Sequence, residues 1–333
     1  MRIKNKIKDQ NAFLLFFILL AVLVAAIVTA VGIGSVRISP GTVIQSILFR
    51  NQDELSQNIV LNMRLPRVIL AVMVGMSLGT AGALLQAVMK NPLADPGIIG
   101  VSSGASCVAV IVMLLFPAMS EYIPLFSFLG ATLAVVIVYA LSWKGGISPV
   151  RIVLSGVAVN AVFGAIVSIL SILNSDKIQG VLVWMNGSLA SKGWTTVQNL
   201  AVYLVIGLIL SLFCMSGCNT LQLGDANATS LGVNVTKVRV LVSLCAAFLA
   251  GMSVSFVGII GFVGLVVPHI TRMIVGSDYR KLLPCSMLLG GCVLLICDTL
   301  ARTIFSPVEL PVGSLMAIVG GPFFLYQLRK SRG

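Results

Sequence analysis

The sequence predicts an all-α, polytopic membrane protein of ten transmembrane helices with both termini on the cytoplasmic side. Three observations lead there. Of the 333 residues, 58% are hydrophobic and only 10% are charged, whereas a soluble domain carries about 25% charged residues. The mean hydropathy is +1.07, so polar residues are too few to cover a core in water and lipid must be the solvent. The charges that remain are not spread evenly: they punctuate long apolar runs.

A helix needs about 20 mostly apolar residues to cross the hydrocarbon. Residues 10–36 are the first such run. Arg2, Lys4, Lys6 and Lys8 precede it, as in a secretory signal, but the apolar stretch Ala12–Val31 is longer than a signal core and no clear A-x-A site follows. It is read as a retained helix. The runs 68–89, 96–120, 122–143, 152–175, 193–224, 240–271, 282–297 and 310–328 follow. The run 240–271 would make one helix about 48 Å long at 1.5 Å per residue, against a hydrocarbon core of roughly 30 Å. Gly251, Gly258, Gly261, Gly264 and Pro268 favour a break there, into two helices of which the second is short.

The cations decide between nine crossings and ten. With ten and the N-terminus inside, fifteen of the 22 basic residues lie on the inner side. They are Arg2, Lys4, Lys6, Lys8, Lys90, Lys144, Arg151, Lys237, Arg239, Arg272, Arg280, Lys281, Arg329, Lys330 and Arg332. Arg37, Arg50, Arg64, Arg67, Lys177, Lys192 and Arg302 lie outside. Nine crossings put the majority outside, so only ten satisfy the positive-inside rule. The same scatter of cations forms no continuous basic stripe, which argues against nucleic acid as a partner despite the net charge of +12. Trp184, Trp194, Lys177 and Lys192 suit an interfacial element on the outer face. The whole chain, 1–333, reads as one transmembrane domain with a cytoplasmic loop at about 217–237 that forms one or two short helices.

Catalytic chemistry finds little support. The seven cysteines are odd in number and show no CxxC spacing, and they read as apolar packing residues. His269 is the only histidine, so a metal site has no ligand set. Asp298 and Arg302 stand at i and i+4, where an ion pair forms on a helix face. No GxxxxGK[ST] phosphate loop is present, so ATP, if used, is bound by another chain. Gly75, Gly79 and Gly82 share a helix face and read as a close-packing seam within the chain, with a subunit interface or pathway lining as the alternative.

Several segments together resemble the FecCD-type permeases, the membrane subunits of importers for ferric siderophores, haem and cobalamin. They are MRLPR at 63–67, GALLQAVMKNPLADPGIIGVSSGAS at 82–106 and LGDANATSLGV at 223–233, with GIIGFVGLVVPHITRMIVGSDYRKLLP at 258–284 and DTLARTIFSPVELPVGSLMAIVGGPFF at 298–324. The resemblance implies ten helices, a second permease subunit, two cytoplasmic ATPase subunits and an extracytoplasmic binding protein, in a bacterial inner membrane. It implies that Arg64, Arg67 and Arg302 dock acidic residues of the binding protein. It places ATPase coupling at Gly224, Asp225, Ala228, Leu231 and Gly232, and cytoplasmic gates at Asn91 and Leu93 and at Ser148 and Pro149. Pro149 and Val150 depart from a hydroxyl-rich gate, and Tyr279 stands where the family commonly has histidine. Tyr279 is expected to face the cytoplasm, where it bears on contact with the motor. The chain itself is expected to bind no cofactor or metal and not to be an enzyme.

Ferric siderophore is the expected cargo, with haem or cobalamin as alternatives, because no residue in the sequence separates them. An ion-coupled secondary transporter is a more distant alternative, kept alive by the glycine-rich break at 258–264. An intramembrane enzyme would need a catalytic pair that the sequence lacks.

Overall fold

A computed structural model describes residues 2–34, 38–48, 53–144, 146–306 and 308–331. Arg37, Arg50 and Arg332 lie outside the described residues, as do the side chains of Arg2, Lys4, Lys6, Lys8 and Lys330. The described residues form helices joined by turns, with no strand among them.

The ten longest α-helices are α1 (Arg2–Gly32), α2 (Leu65–Met89), α3 (Val101–Leu115), α4 (Ile123–Ser142), α5 (Pro149–Leu173), α6 (Trp194–Phe213), α7 (Val235–Val257), α8 (Val263–Val275), α9 (Tyr279–Ala301) and α10 (Val312–Ser331). Each of the apolar runs in the sequence overlaps at least one of them, and the run 240–271 overlaps two. Seven helical segments are long and apolar enough to cross a membrane alone; α3, α8 and the apolar part of α10 are shorter.

Two runs are shortened by local chemistry. The run 96–120 begins with a 3-10 turn over Pro96–Ile99, which ends at Gly100 in the left-handed region (φ 86°), and only then does α3 start. The run 193–224 is not one helix: α6 ends at Phe213 and a separate short helix occupies Met215–Gln222. The long run 240–271 does break, between Gly258 (φ 77°) and Phe262 (φ 66°), while Gly251 and Pro268 sit inside α7 and α8.

At its start α2 is drawn out of α-geometry by its own sequence. Pro66 has no N–H to donate to the carbonyl of Asn62, which loosens the ladder just ahead of it. The preceding turn, Ile59–Arg64, is π-helical, and the Leu65 N–H reaches back five residues to the Val60 carbonyl. Arg64, the last residue of this wide turn, is buried.

Apart from Leu65, Arg67, Ile69 and Met76, every residue of α2 is buried. It packs against α9, α7, α8 and α6 and forms the axis of the bundle. The glycine face explains how. A Cβ on Gly75 would overlap the Gly290 carbonyl of α9, one on Gly79 would stand 2.7 Å from the Ser286 carbonyl, and one on Gly82 would lie inside the backbone of Gly264 at the start of α8. The seam therefore packs α2 within its own chain. Peripheral α5 is the opposite case: only Ile152, Gly156, Val159 and Val167 are buried, and the rest of its apolar surface faces outward.

Replacing Gly82 with Val should abolish assembly of the bundle. Overpacking costs roughly 1–3 kcal/mol even where side chains can rotate away, and here the obstacle is backbone. Gly164→Ala in α5, with nothing within 4 Å of the added atom, should leave the yield of monodisperse protein in detergent unchanged after the same heat step.

Candidate functional site

The three sequence-predicted docking arginines come together at one end of the bundle, at the mouth of a cavity of about 800 Å³. They are not free surface residues. Arg64 and Arg302 are 7% and 8% exposed. Arg64 donates from Nη1 to the carbonyls of Val31 (2.9 Å) and Gly32 (3.1 Å), and Arg302 donates from Nη2 to the Ala30 carbonyl. Those three carbonyls belong to the last turn of α1, where no intrahelical donor remains and the helix dipole is negative. Two arginines from distant parts of the chain thus cap the end of α1.

Arg67 does different work. Its Nε donates to both oxygens of Asp298 (3.2 and 3.0 Å), its Nη2 to Asp298 Oδ1 (2.9 Å), and its Nη1 to Glu309 Oε2 (2.7 Å). Asp298 is fully buried. This corrects the pairing expected from spacing, Asp298 with Arg302. Arg302 is the residue at which α9 stops, so its side chain is carried away to α1, while the Asp298 carboxylate faces α2. Lys192, Asn62 and Glu309 complete the charged and polar wall of the cavity. With four cations and one acid lining it, the cavity carries a surplus of positive charge, a field that favours anionic groups.

The opposite end of α2 carries the predicted gates and coupling residues. The helix closes at Lys90, in the left-handed region (φ 50°), and Asn91 Oδ1 then accepts the Leu93 N–H at 2.9 Å in a tight Asx turn. Asn91 is exposed and Leu93 half-buried. The NPLADPG loop is moored to α5: Asn160 Nδ2 donates to the Gly97 carbonyl (3.0 Å), and Gly156 leaves room for the Ile98 carbonyl. Ser148 caps α5, accepting from the Arg151 N–H at 3.3 Å, with Pro149 as the first helical residue. Arg151 also wraps the preceding loop, donating to the carbonyls of Lys144 (2.8 Å) and Gly146 (2.9 Å).

The segment 217–237 forms the expected short helices, Met215–Gln222 and Asp225–Ser230, and Gly232 (φ 77°) follows the second. Gly224 also takes a positive φ, 94°. Ala228 is buried beneath the helix and Leu231 is 67% exposed, so the outward face is built by Leu231 and its polar neighbours. Asp225 accepts from Lys90 Nζ at 2.5 Å and from Arg239 Nη2 at 3.0 Å. The Lys90 hydrogen bond, more than the slight burial that opposes it or the charge of Arg239, holds the Asp225 carboxyl below its ordinary value.

Tyr279 is a second correction. It is fully buried rather than presented to the cytoplasm, and its hydroxyl donates to the Ala83 carbonyl of α2 at 2.9 Å. Its N–H donates to Asn219, which also holds the helix-capping Asp278. The aromatic ring thus fills a gap between α9 and α2 and has no surface to offer a partner. Glu309, Lys90 and Arg239 were not singled out as site residues by the sequence. They acquire their roles from partners 242, 135 and 14 positions away, respectively, and no local pattern signals such a pairing.

The chain is similar to known proteins over nearly its whole length. A model of the FecCD transport family matches residues 19–330. The chain is 38% identical over 327 residues to the Fe(3+)-citrate import system permease protein YfmE of Bacillus subtilis, covering 98% of both chains. It is 39% identical over 329 residues to the hemin transport system permease protein HmuU of Yersinia pestis, covering 97% of both. A solved metal-chelate type ABC transporter in an inward-facing conformation superposes with a TM-score of 0.86 at 31% identity, covering 95% of this chain and 98% of the other.

Asp298→Ala leaves Arg67, in a largely buried site, with Glu309 as its remaining carboxylate and should cost roughly 3 kcal/mol, the low end for breaking a buried pair, read as a lower unfolding temperature in detergent. Arg67→Met combined with Asp298→Leu removes both charges and should recover most of that loss.

Proposed function

The chain belongs to the FecCD transport family, and from that premise we propose that it is the membrane-spanning permease of a binding-protein-dependent ABC importer for ferric siderophores. It is a transport subunit, not a catalyst. Ten crossings, both ends cytoplasmic, and a single transmembrane domain over 1–333 in a bacterial inner membrane complete the reading. Two ATPase subunits supply hydrolysis, a second permease subunit supplies the other wall of the pathway, and cargo moves by alternating access.

The observation that carries the proposal is the similarity over nearly the whole chain to permeases named for iron citrate and haem. The arrangement of charge supports it. Arg64, Arg67, Lys192 and Arg302 share one end of the bundle, while Lys90, Arg151 and Arg239 share the other, as the inside and outside sets of the ten-helix topology require. A cationic cavity at the outer end suits acidic side chains of a docking binding protein. Exposed Leu231 and the turn at Gly232 suit contact with the ATPase. Haem is the second reading, because HmuU at comparable identity is named for it.

Cells lacking this gene should lose ATP-dependent uptake of a labelled ferric siderophore or ferric citrate while cobalamin uptake is unchanged. Selective loss of haem uptake would transfer the proposal to haem, and uptake that survives ATP depletion but collapses with the ion gradient would overturn the ABC reading. Lys192→Glu, on the cavity wall and free of the α1 and Asp298 contacts, should weaken binding-protein association about tenfold and flatten its salt dependence. Binding by titration calorimetry at two ionic strengths checks this.

A further inference from the structure

The helix Asp225–Ser230 lies on the surface, with Ala228 its one buried residue. Three of its polar side chains bond only within their own turns: Asn227 to the Leu223 carbonyl, Thr229 to that of Asp225 and Ser230 to that of Ala226. Asp225 alone reaches out to other elements among the described hydrogen bonds, and it reaches two. Lys90, at 2.5 Å, is the last residue before the Asn91–Leu93 turn. Arg239, at 3.0 and 3.3 Å, is a residue of α7 that is 1% exposed.

Arg239 does not stop at Asp225. Its other terminal nitrogen, Nη1, donates to the Ile147 carbonyl at 2.5 Å, one residue before Ser148 and Pro149. Its Nε has no hydrogen-bond partner. A guanidinium is a rigid planar fork, so displacing one terminal nitrogen displaces the other. The geometry therefore joins the Asp225–Ser230 helix to both loops at this end of the bundle. One branch runs through Lys90 to Asn91–Leu93, the other through Arg239 to Ile147–Pro149.

The branches differ in strength. The Lys90–Asp225 pair is partly exposed, at 31% and 53%, and exposed ion pairs are weak and screened by salt. The Arg239 side chain is 2% exposed, and losing either partner leaves a buried charge short of an acceptor, which is strongly unfavourable. The stiff branch runs through Arg239.

We propose that Arg239 is a positioning residue that carries movement of the Asp225–Ser230 helix to the Ile147–Pro149 loop, with Lys90 as the softer branch to Asn91–Leu93. The proposal rests on the reading of Asp225–Ser230 as the ATPase contact. It assigns a transmission role to a buried side chain that touches neither the motor nor the cargo.

The test is hydrogen–deuterium exchange on the assembled complex of permease and ATPase subunits in nanodiscs, with and without a non-hydrolysable ATP analogue. In the wild type, nucleotide should alter exchange in 225–230, 89–95 and 144–151. In Arg239→Gln the 225–230 response should persist while the 144–151 response falls at least about fivefold, since coupling between sites is lost when the linking element is removed. Lys90→Gln should diminish only the 89–95 response. A purely structural role for Arg239 predicts faster exchange throughout and an intact nucleotide response at 144–151, and that result overturns the proposal. Where Arg239→Gln does not assemble, Arg239→Lys keeps the charge but cannot span both partners, and it should give the same split. An unchanged 144–151 response in Arg239→Lys also overturns the proposal. A wild-type complex whose 225–230 segment ignores nucleotide instead removes the ATPase-contact reading, and this inference falls with it.

Discussion

The contact of α2 with α9 and α8, backbone against backbone at Gly75, Gly79, Gly82, Gly264 and Gly290, is the constraint on which the rest of the structure depends. Lipid tails are as apolar as leucine, so burying apolar surface gives helices little reason to associate, and close packing with short-range attraction must do it. Small residues permit that approach, and the approach then determines which polar groups meet. Near one end of the seam Arg67 falls within reach of Asp298; near the other Tyr279 reaches the Ala83 carbonyl. A wider helix separation would break both contacts at once. The polar contacts therefore depend on the glycines.

Charge at the cavity end of the bundle shows how few polar groups a membrane bundle spends without a structural use. Arg64 and Arg302 donate to the terminal carbonyls of α1, of which Gly32 also accepts from the Ile38 N–H, so the helix end is satisfied where water is scarce. Arg67 neutralises a buried carboxylate. The same three side chains edge a cavity with a surplus of positive charge. Structural anchoring and a positive field are not competing uses, because a guanidinium bonded to backbone carbonyls keeps its full charge. Lys192 and Glu309, on the same cavity wall, hold no helix end in place.

The opposite end is organised by caps. Lys90 closes α2, Ser148 opens α5, Asn234 opens α7 and Asp278 opens α9, so each helix meets its loop in a defined direction. Onto that framework two short helices are fastened at few points: Asn219 and Gln222 hold the first to the start of α9 and the turn before it, and Asp225 holds the second to α2 and α7. Buried Cys218 and Leu221 pack the first of them onto the bundle, whereas the second buries Ala228 alone.

By itself the sequence determined the membrane class, the helical runs, the break within 240–271 and the short helices of 217–237, because these follow from hydropathy, glycine and proline acting over a few neighbouring residues. The face shared by Gly75, Gly79 and Gly82 was legible for the same reason, since helical periodicity is local. What that face packs against was not. Only the tertiary structure decided that Asp298 pairs with Arg67 rather than Arg302, that Tyr279 is interior, and that Arg239 joins Asp225 to Ile147. Spacing of four residues describes a helix face only while the helix continues, and α9 stops at Arg302. Partners on other helices are chosen by how closely those helices approach and how each is rotated about its axis, and these are set by packing across the whole bundle.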